Sequence, residues 1–221
     1  MKFRHEYKHI INMSDKIQLS ARLSKIFPYD INSESDGKYL VSSLYFDNYM
    51  DKALKEKVDG VNCREKFRIR YYNTDTEFIK LEKKSKINGL CSKESALLTY
   101  DECLDIIKGN YEFLLDSNSN LKKELYSKMK YQLLRPKCVV KYIREAYTFA
   151  PGNVRITLDY DISGSNDVNN FLSPNLSCLN LYHQTILEVK WDEFLPEIVK
   201  NAVMLPCRQH SAFSKYACVR F

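Results

Sequence analysis

The chain has 221 residues, enough for one domain with a substantial buried core, and its 44% hydrophobic and 28% charged content excludes a disordered chain. The net charge of +6 is modest, so the placement of charge carries more information than its sum. Six glycines leave little from which to build a Walker or dinucleotide loop, no stretch reaches the ~18 apolar residues of a spanning helix, and the terminus Met1-Lys2-Phe3-Arg4-His5-Glu6 lacks the apolar run of a signal peptide.

In chain order, the pattern predicts a first strand over Phe3–Ile11. A helix capped by Ser14 follows, with the stripe Leu19, Leu23, Ile26 and Phe27 buried, and Pro28 stops it. Leu40–Phe46 reads as a strand, and Asn48 caps a short helix ending near Gly60. Strands follow over Arg64–Tyr72, Phe78–Lys84 and Lys93–Leu98. Thr99 and Glu102 form a capping box for a helix closed by Gly109, and a further helix covers Asn120 to Leu133. Cys138–Phe149 and Val154–Asp159 are strands, the polar Ser163–Asn180 a loop, and Thr185–Trp191 a strand. A last helix starts near Glu193 with Pro196 in its first turn and Phe194, Ile198, Val199 and Ala202 buried, before a final strand over Phe213–Phe221. The sixteen Tyr and eleven Phe suit strands. The seven cysteines are odd in number and form no CxxC pair, which argues against a disulfide framework or a zinc site and for reduced thiols in a cytoplasmic protein.

Side chains on a strand alternate between faces, and here one face of several strands is selectively ionic. Arg64, Lys66, Arg68 and Arg70 share a face, opposite Phe67, Ile69 and Tyr71. Lys80, Glu82, Lys84 and Lys86 share another; so do Arg4, Glu6 and Lys8, then Tyr142 and Arg144, then Arg155, Thr157 and Asp159, then Glu188 and Lys190. Any one such face could be the solvated side of a sheet. Rows of like charge repel, however, and a fold tolerates them when a polyanion bridges them. With helices covering the apolar faces, the ionic faces point at one another. The expected fold is α+β but mainly β, a closed or nearly closed antiparallel barrel with a charged lumen, in one domain spanning residues 1–221.

Seven segments occur in an order that resembles a known family: Arg4-His5-Glu6-Tyr7-Lys8, Ser43-Leu44-Tyr45-Phe46-Asp47, Arg68-Ile69-Arg70-Tyr71-Tyr72, Leu81-Glu82-Lys83-Lys84, Tyr142-Ile143-Arg144-Glu145-Ala146-Tyr147, Leu187-Glu188-Val189-Lys190 and Phe213-Ser214-Lys215-Tyr216. Together they resemble the VTC domain, the catalytic domain of the vacuolar transporter chaperone polyphosphate polymerases, within the CYTH-like triphosphate tunnel metalloenzymes. The resemblance implies an eight-stranded antiparallel tunnel. It also implies transfer of the γ-phosphoryl group of ATP onto inorganic polyphosphate with Mn²⁺ or Mg²⁺. Lys8, Arg68, Arg70, Lys84, Lys93, Tyr142, Arg144, Arg155 and Lys215 match the family's phosphate-binding positions, Ser214 a serine bordering them, and Glu188 the metal-binding glutamate. Lys84, Arg144, Lys215, Arg68 and Arg70 are the catalytic candidates; Glu82, Glu6 and Asp159 are further metal candidates or partners of lumenal cations. Three positions depart from the pattern: Arg4 stands where the wider superfamily has a first glutamate, Lys86 where a histidine is expected, and Ala212 where a lysine is expected, with Arg208 or His210 as possible substitutes. His5, His9, His183 and His210 show no ligand spacing and are expected to be structural. Two other functions fit such a tunnel: a triphosphatase, in which water replaces the phosphate terminus as nucleophile, and a non-catalytic polyanion-binding module. Nucleic acid fits less well, since no RNA-binding motif accompanies the aromatics.

Overall fold

The computed structural model describes residues 3–206 and 211–220. Its centre is one antiparallel sheet built from β1 (His5–Ile11), β2 (Lys38–Asp47), β3 (Arg64–Tyr72), β4 (Asp75–Ile87), β5 (Leu90–Leu98), β6 (Arg135–Phe149), β7 (Val154–Ser165), β8 (Leu179–Tyr182) and β9 (Thr185–Trp191). The eight long-path strands run in the order β1-β9-β7-β6-β2-β3-β4-β5, and β8 pairs only with β7. The sheet curls until its two ends meet. Arg4, just before β1, bridges Cys91 at the start of β5, each backbone N–H donating to the other's carbonyl at 3.0 and 3.2 Å. Among the described residues this is the one bridge that joins the two ends, so the barrel is closed beside Cys91 and the described strands splay toward the other end.

Six helices dress this sheet: α1 (Met13–Ile26), α2 (Lys52–Val58), α3 (Tyr100–Lys108), α4 (Asn120–Tyr131), α5 (Glu197–Val203) and α6 (Lys215–Arg220). α3 and α4 bury Cys103, Ile106, Leu121, Leu125 and Met129 against the outer residues Phe67, Ile69, Ile79 and Leu81. α1 and α5 bury Leu19, Leu23, Val199 and Ala202 against Ile156, Leu158, Leu187 and Val189. The outward faces of the strands therefore make the helix-covered cores, and the inward faces are left to the charged residues, as the alternation predicts. A third cluster lies on the inward side of β2 and β6, where Tyr216 of α6 is seated beside Tyr45 and Tyr142.

Several boundaries differ from the sequence reading. In the segment expected as a strand over Phe213–Phe221, Lys215–Arg220 form the helix α6 and Phe213 and Ser214 lead into it without regular structure. Ser214 starts it, accepting from the Cys218 N–H through its carbonyl at 3.0 Å, and sheet closure is made by β1 and β5 instead. α1 is capped by Asn12, not Ser14: Asn12 Oδ1 accepts from the Asp15 N–H at 2.8 Å and Asp15 accepts from the Asn12 N–H at 3.2 Å. Ile26 drops out of its buried stripe and is exposed. Asn48 accepts from the Met50 and Lys52 N–H groups but stands a turn ahead of α2, whose start is tied by buried Asp47 to the Ala53 and Leu54 N–H groups. α5 begins after Pro196 rather than near Glu193, and Phe194 and Ile198 face solvent while Val199 and Ala202 are buried. The expected loop over Ser163–Asn180 is shortened at both ends, by β7 running to Ser165 and by the short β8. The Thr99–Glu102 capping box and the Gly109 terminus of α3 are as predicted.

Candidate functional site

The inward faces enclose a cavity of about 310 Å³, the size at which small-molecule sites begin. Its lining includes Arg4, Lys8, Lys66, Arg68, Arg70, Lys84, Lys93, Arg144, Arg155, Lys190 and Lys215 against only two carboxylates, Glu6 and Glu188. A second chamber of about 110 Å³ adjoins it and shares Glu6, Lys8, Lys66, Lys84, Phe213 and Ser214. It adds Lys57, Arg64 and Lys86 at that mouth.

Strand register creates the crowding. Across β3 and β4, Arg64 faces Lys86, Lys66 faces Lys84 and Arg70 faces Lys80; across β4 and β5, Lys84 faces Lys93. Only Arg68, opposite Glu82, meets a partner of opposite sign in this row. Like charges directly opposite destabilise a sheet, so this arrangement costs the protein stability, a cost that an anion set between the strands would relieve.

Buried carboxylates order the cations. Glu82, 1% exposed, accepts from Arg68 Nε at 2.7 Å and from Lys93 Nζ at 2.9 Å, with Arg70 Nη1 at 3.9 Å. Asp159, fully buried, accepts both arms of the Arg144 fork at 2.6 and 2.7 Å and the Lys215 ammonium at 2.5 Å. Burial raises both carboxyl pKa values, but the surrounding cations outweigh it; Glu82 is held well below the usual carboxylate range and Asp159 at about 2. Arg70 is fixed from the other side, donating to Ser43 Oγ at 2.9 Å and Tyr142 Oη at 3.0 Å. Arg155 donates to Tyr39 Oη at 2.6 Å and pairs with Asp30 at 2.9 Å.

Glu6 and Glu188 are placed differently. They converge on one ammonium: Lys8 Nζ lies 3.3 Å from Glu6 Oε1 and 3.2 Å from Glu188 Oε2. Lys84 pairs with Glu6 at 2.9 Å and Lys190 with Glu188 at 2.5 Å. Burial pushes both carboxyls up and these lysines hold both well below the usual range, so both are ionised at neutral pH. Both line the cavity. Among the described residues no group of three or more His, Cys, Asp or Glu could hold a metal. A pair of ionised oxygen donors beside a phosphate chain does fit a hard divalent cation, which commonly takes one or two carboxylates and completes its shell with phosphate and water. Glu82 and Asp159 fit it less well, since neither lines the cavity and each is tied to an arginine fork.

Two residues outside the expected site belong to it. Lys66 is half-buried in the cavity wall with no ion pair among the described residues, its ammonium 5.4 Å from the Tyr45 ring. Burial, with Lys84, Arg68 and Lys8 around it, lowers its pKa to about 7. Burial raises the Tyr45 phenol, but Arg68, Lys66 and Arg70 outweigh it and bring it down to about 7. Both were legible: Lys66 shares the Arg64/Arg68/Arg70 face, and Tyr45 the inward face of β2 with Tyr39 and Ser43. Also missed was the β4–β5 hairpin, whose turn residues Asn88 and Gly89 have φ of 47° and 86°; an Asn-Gly pair is the usual signal for such a turn.

The other expected site residues fall as follows. Lys215 reaches the lumen from the first residue of α6 rather than from a strand, its ammonium 4.6 Å from the Tyr142 ring. Tyr142 is 1% exposed and its hydroxyl serves Arg70. Ser214 lines both chambers. Arg4 ties the seam of the barrel, pairing with Asp192 at 2.8 Å and donating to the Asn153 carbonyl. Lys86 and Ala212 line the outer chamber, while Arg208 and His210 lie outside the described residues. His5 stacks on Trp191 at 5.5 Å, His9 meets the Tyr7 ring edge-on and His183 is exposed.

A comparison with protein families matches the VTC domain over residues 3–220. The chain belongs to the VTC domain family. No curated protein matches it. Among solved structures, the PH1012 protein from Pyrococcus horikoshii is similar with a TM-score of 0.54 at 12% identity, covering 98% of this chain and 99% of that one. A candidate adenylate cyclase from Bacillus halodurans is similar with a TM-score of 0.52 at 12% identity, covering 86% and 80%. At that identity the likeness is one of fold, and it is the fold of CYTH-type tunnel proteins. No helix of the described residues is long and apolar enough to cross a membrane.

Proposed function

We propose that this VTC domain is a metal-dependent polyphosphate polymerase that transfers the γ-phosphoryl group of ATP onto inorganic polyphosphate. The observation that carries the reading is the excess of lumenal cations over carboxylates in a cavity of triphosphate size, with cation set opposite cation across β3, β4 and β5. Phosphoryl transfer demands positioning and neutralisation of charge more than covalent help. Arg68, Arg70, Arg144 and Arg155 are held by Glu82, Ser43, Tyr142, Asp159 and Tyr39, and a guanidinium fork so fixed grips phosphate oxygens at little further entropic cost. In this reading Lys8, Lys84, Lys93 and Lys215 neutralise the remaining charge, with Tyr142 and Ser214 at the border of the site.

The terminal oxygen of the polyphosphate acceptor attacks the γ-phosphorus, the bond to the bridging oxygen breaks, and ADP leaves with that electron pair. The attacking oxygen is already anionic, so no protein base is required. Glu188, with Glu6 beside it, would hold Mn²⁺ or Mg²⁺, which supplies charge neutralisation and template action on the phosphates. Glu82 and Asp159 would position arginines rather than bind the metal.

Incubating the pure protein with ATP and Mn²⁺ and resolving the products on a gel tests this. Long polyphosphate, lost in Lys84→Ala and Glu188→Ala, is the expected result. Orthophosphate alone would assign the tunnel to a triphosphatase instead, and retained tripolyphosphate binding without turnover would leave a binding module.

A further inference from the structure

The two ends of the tunnel differ chemically. One carries Lys57, Arg64 and Lys86. At the other, β3, β4 and β5 rise past the Arg4–Cys91 bridge, and their inward faces end in apolar side chains. Lys80 and Leu97 are register partners, so Leu97 stands on the same inward face as Lys80, and Phe78 is the next inward position along β4. Phe78 is 56% exposed and Leu97 57%, whereas the outward residues between them, Ile79 and Leu98, are buried at 0% and 3%. By strand alternation these two large apolar side chains stand on the tunnel side, beyond the residues that line the main cavity, while their outward neighbours make the core. The Lys80 ammonium lies 5.9 Å from the ring centres of both Phe78 and Tyr72. Tyr72 lines the main cavity and meets Tyr39 edge-on at 5.6 Å. Lys80 is directly opposite Arg70 across β3 and β4, so this apolar end begins one residue step beyond the arginine cluster.

We infer that the splayed end formed by Tyr72, Phe78, Lys80 and Leu97 is a stacking site for the base of a nucleoside triphosphate whose phosphates lie in the tunnel. The inference rests on the phosphate-binding reading of the lumen and deepens it by giving the tunnel a direction. Ring faces and an aliphatic side chain suit any flat base, and stacking on aromatics is sequence-tolerant because every base presents a π face. Lys80 suits the phosphate nearest the nucleoside. Among the four residues the polar groups are Lys80 and the Tyr72 hydroxyl, too few to read a base edge. The site therefore accepts purine nucleotides without strong discrimination between adenine and guanine. Inorganic polyphosphate, lacking a base, gains nothing from it.

Calorimetric titration of ATP, GTP and tripolyphosphate into the wild type, Phe78→Ala, Leu97→Ser and Phe78→Trp tests the site. Both Phe78 and Leu97 are exposed, so the variants keep the core. In Phe78→Ala, ATP and GTP affinities are expected to fall together by on the order of tenfold. Leu97→Ser is expected to weaken both nucleotides less, Phe78→Trp to restore them, and tripolyphosphate to stay within about twofold throughout. Unchanged ATP affinity in both Phe78→Ala and Leu97→Ser, or an equal loss for tripolyphosphate, overturns the stacking site while leaving the tunnel reading intact. A wild type that binds neither ATP nor tripolyphosphate overturns the tunnel reading, and the stacking site with it.

Discussion

The two faces of β3 and β4 carry the same kinds of residue in opposite balance. On the outer face, Lys83 lies within reach of Glu65, Glu94 and Glu124, at 3.4, 3.8 and 2.6 Å, and Lys128 also pairs with Glu65. Charge is matched locally there, in positions partly open to solvent. On the inner face, Arg64, Lys66, Arg70, Lys84 and Lys86 outnumber their carboxylates, and Lys66 has no ion pair among the described residues. Outer pairs of this kind are worth little and ask for no ligand. The inner imbalance is held by covalent connectivity and by the two helix-covered cores, and it is the feature that the proposed anion binding would draw on. A charged face is therefore informative only when its partners are counted.

The largest expected effect tests the few inner carboxylates. Glu82→Gln leaves the largely buried guanidinium groups of Arg68 and Arg70 without their counter-charge and should cost on the order of 3–5 kcal/mol in denaturant unfolding. Tripolyphosphate should restore part of that loss by mass action. The matched outer change, Lys83→Met, should cost less than about 1 kcal/mol; equal costs on both faces would abolish the contrast.

Lys66→Met sharpens it further. Removing a half-buried cation that has no ion pair among the described residues should stabilise the free protein, by up to about 1 kcal/mol at pH 7. The same change should weaken tripolyphosphate binding roughly tenfold, read by calorimetry. Loss of both stability and binding would mean that Lys66 has a counter-charge in the free protein.

A pH series gives a smaller effect with a fixed sign. Burial and neighbouring cations put Lys66 at about 7; burial and Lys84, opposed by Glu188, put Lys190 at about 8; cations bring Tyr45 to about 7 against its burial. In the unfolded chain these groups titrate near 10. Between about pH 7 and 10 these three groups bind fewer protons in the folded protein than in the unfolded chain, so their contribution to stability rises with pH there, opposed by the buried thiols of Cys103 and Cys138, which burial raises to about 12. A bound polyanion raises all three values, so binding takes up protons and tripolyphosphate affinity should fall as pH rises above about 7, by up to about tenfold per pH unit for each proton. Calorimetry in buffers of different ionisation enthalpy reads that proton directly, and proton release would contradict the account.

Much of this was legible in the sequence because a strand's period of two leaves a simple trace. Arg64, Lys66, Arg68 and Arg70 announced one face of β3, and the ordered motifs from Arg4 to Tyr216 announced the family. What escaped was decided by tertiary partners. Period two and a short apolar run do not separate a strand from a one-turn helix, so α6 was read as β, although Lys215 still reaches the lumen from its first turn. The roles of Glu82 and Asp159 depended on which oxygens the arginines occupy, which spacing along the chain does not encode. Lys66 was visible as a charge, but only burial and the absence of an ion pair mark it as poised for an anion.

The most direct test is a crystal structure with tripolyphosphate bound. The account predicts the phosphates inside the barrel, within hydrogen-bond distance of Arg68, Arg70, Arg144 and Lys84, with the Lys66 ammonium turned toward them. A tripolyphosphate seated on the outer surface, with those arginines still facing only their carboxylates, would contradict it.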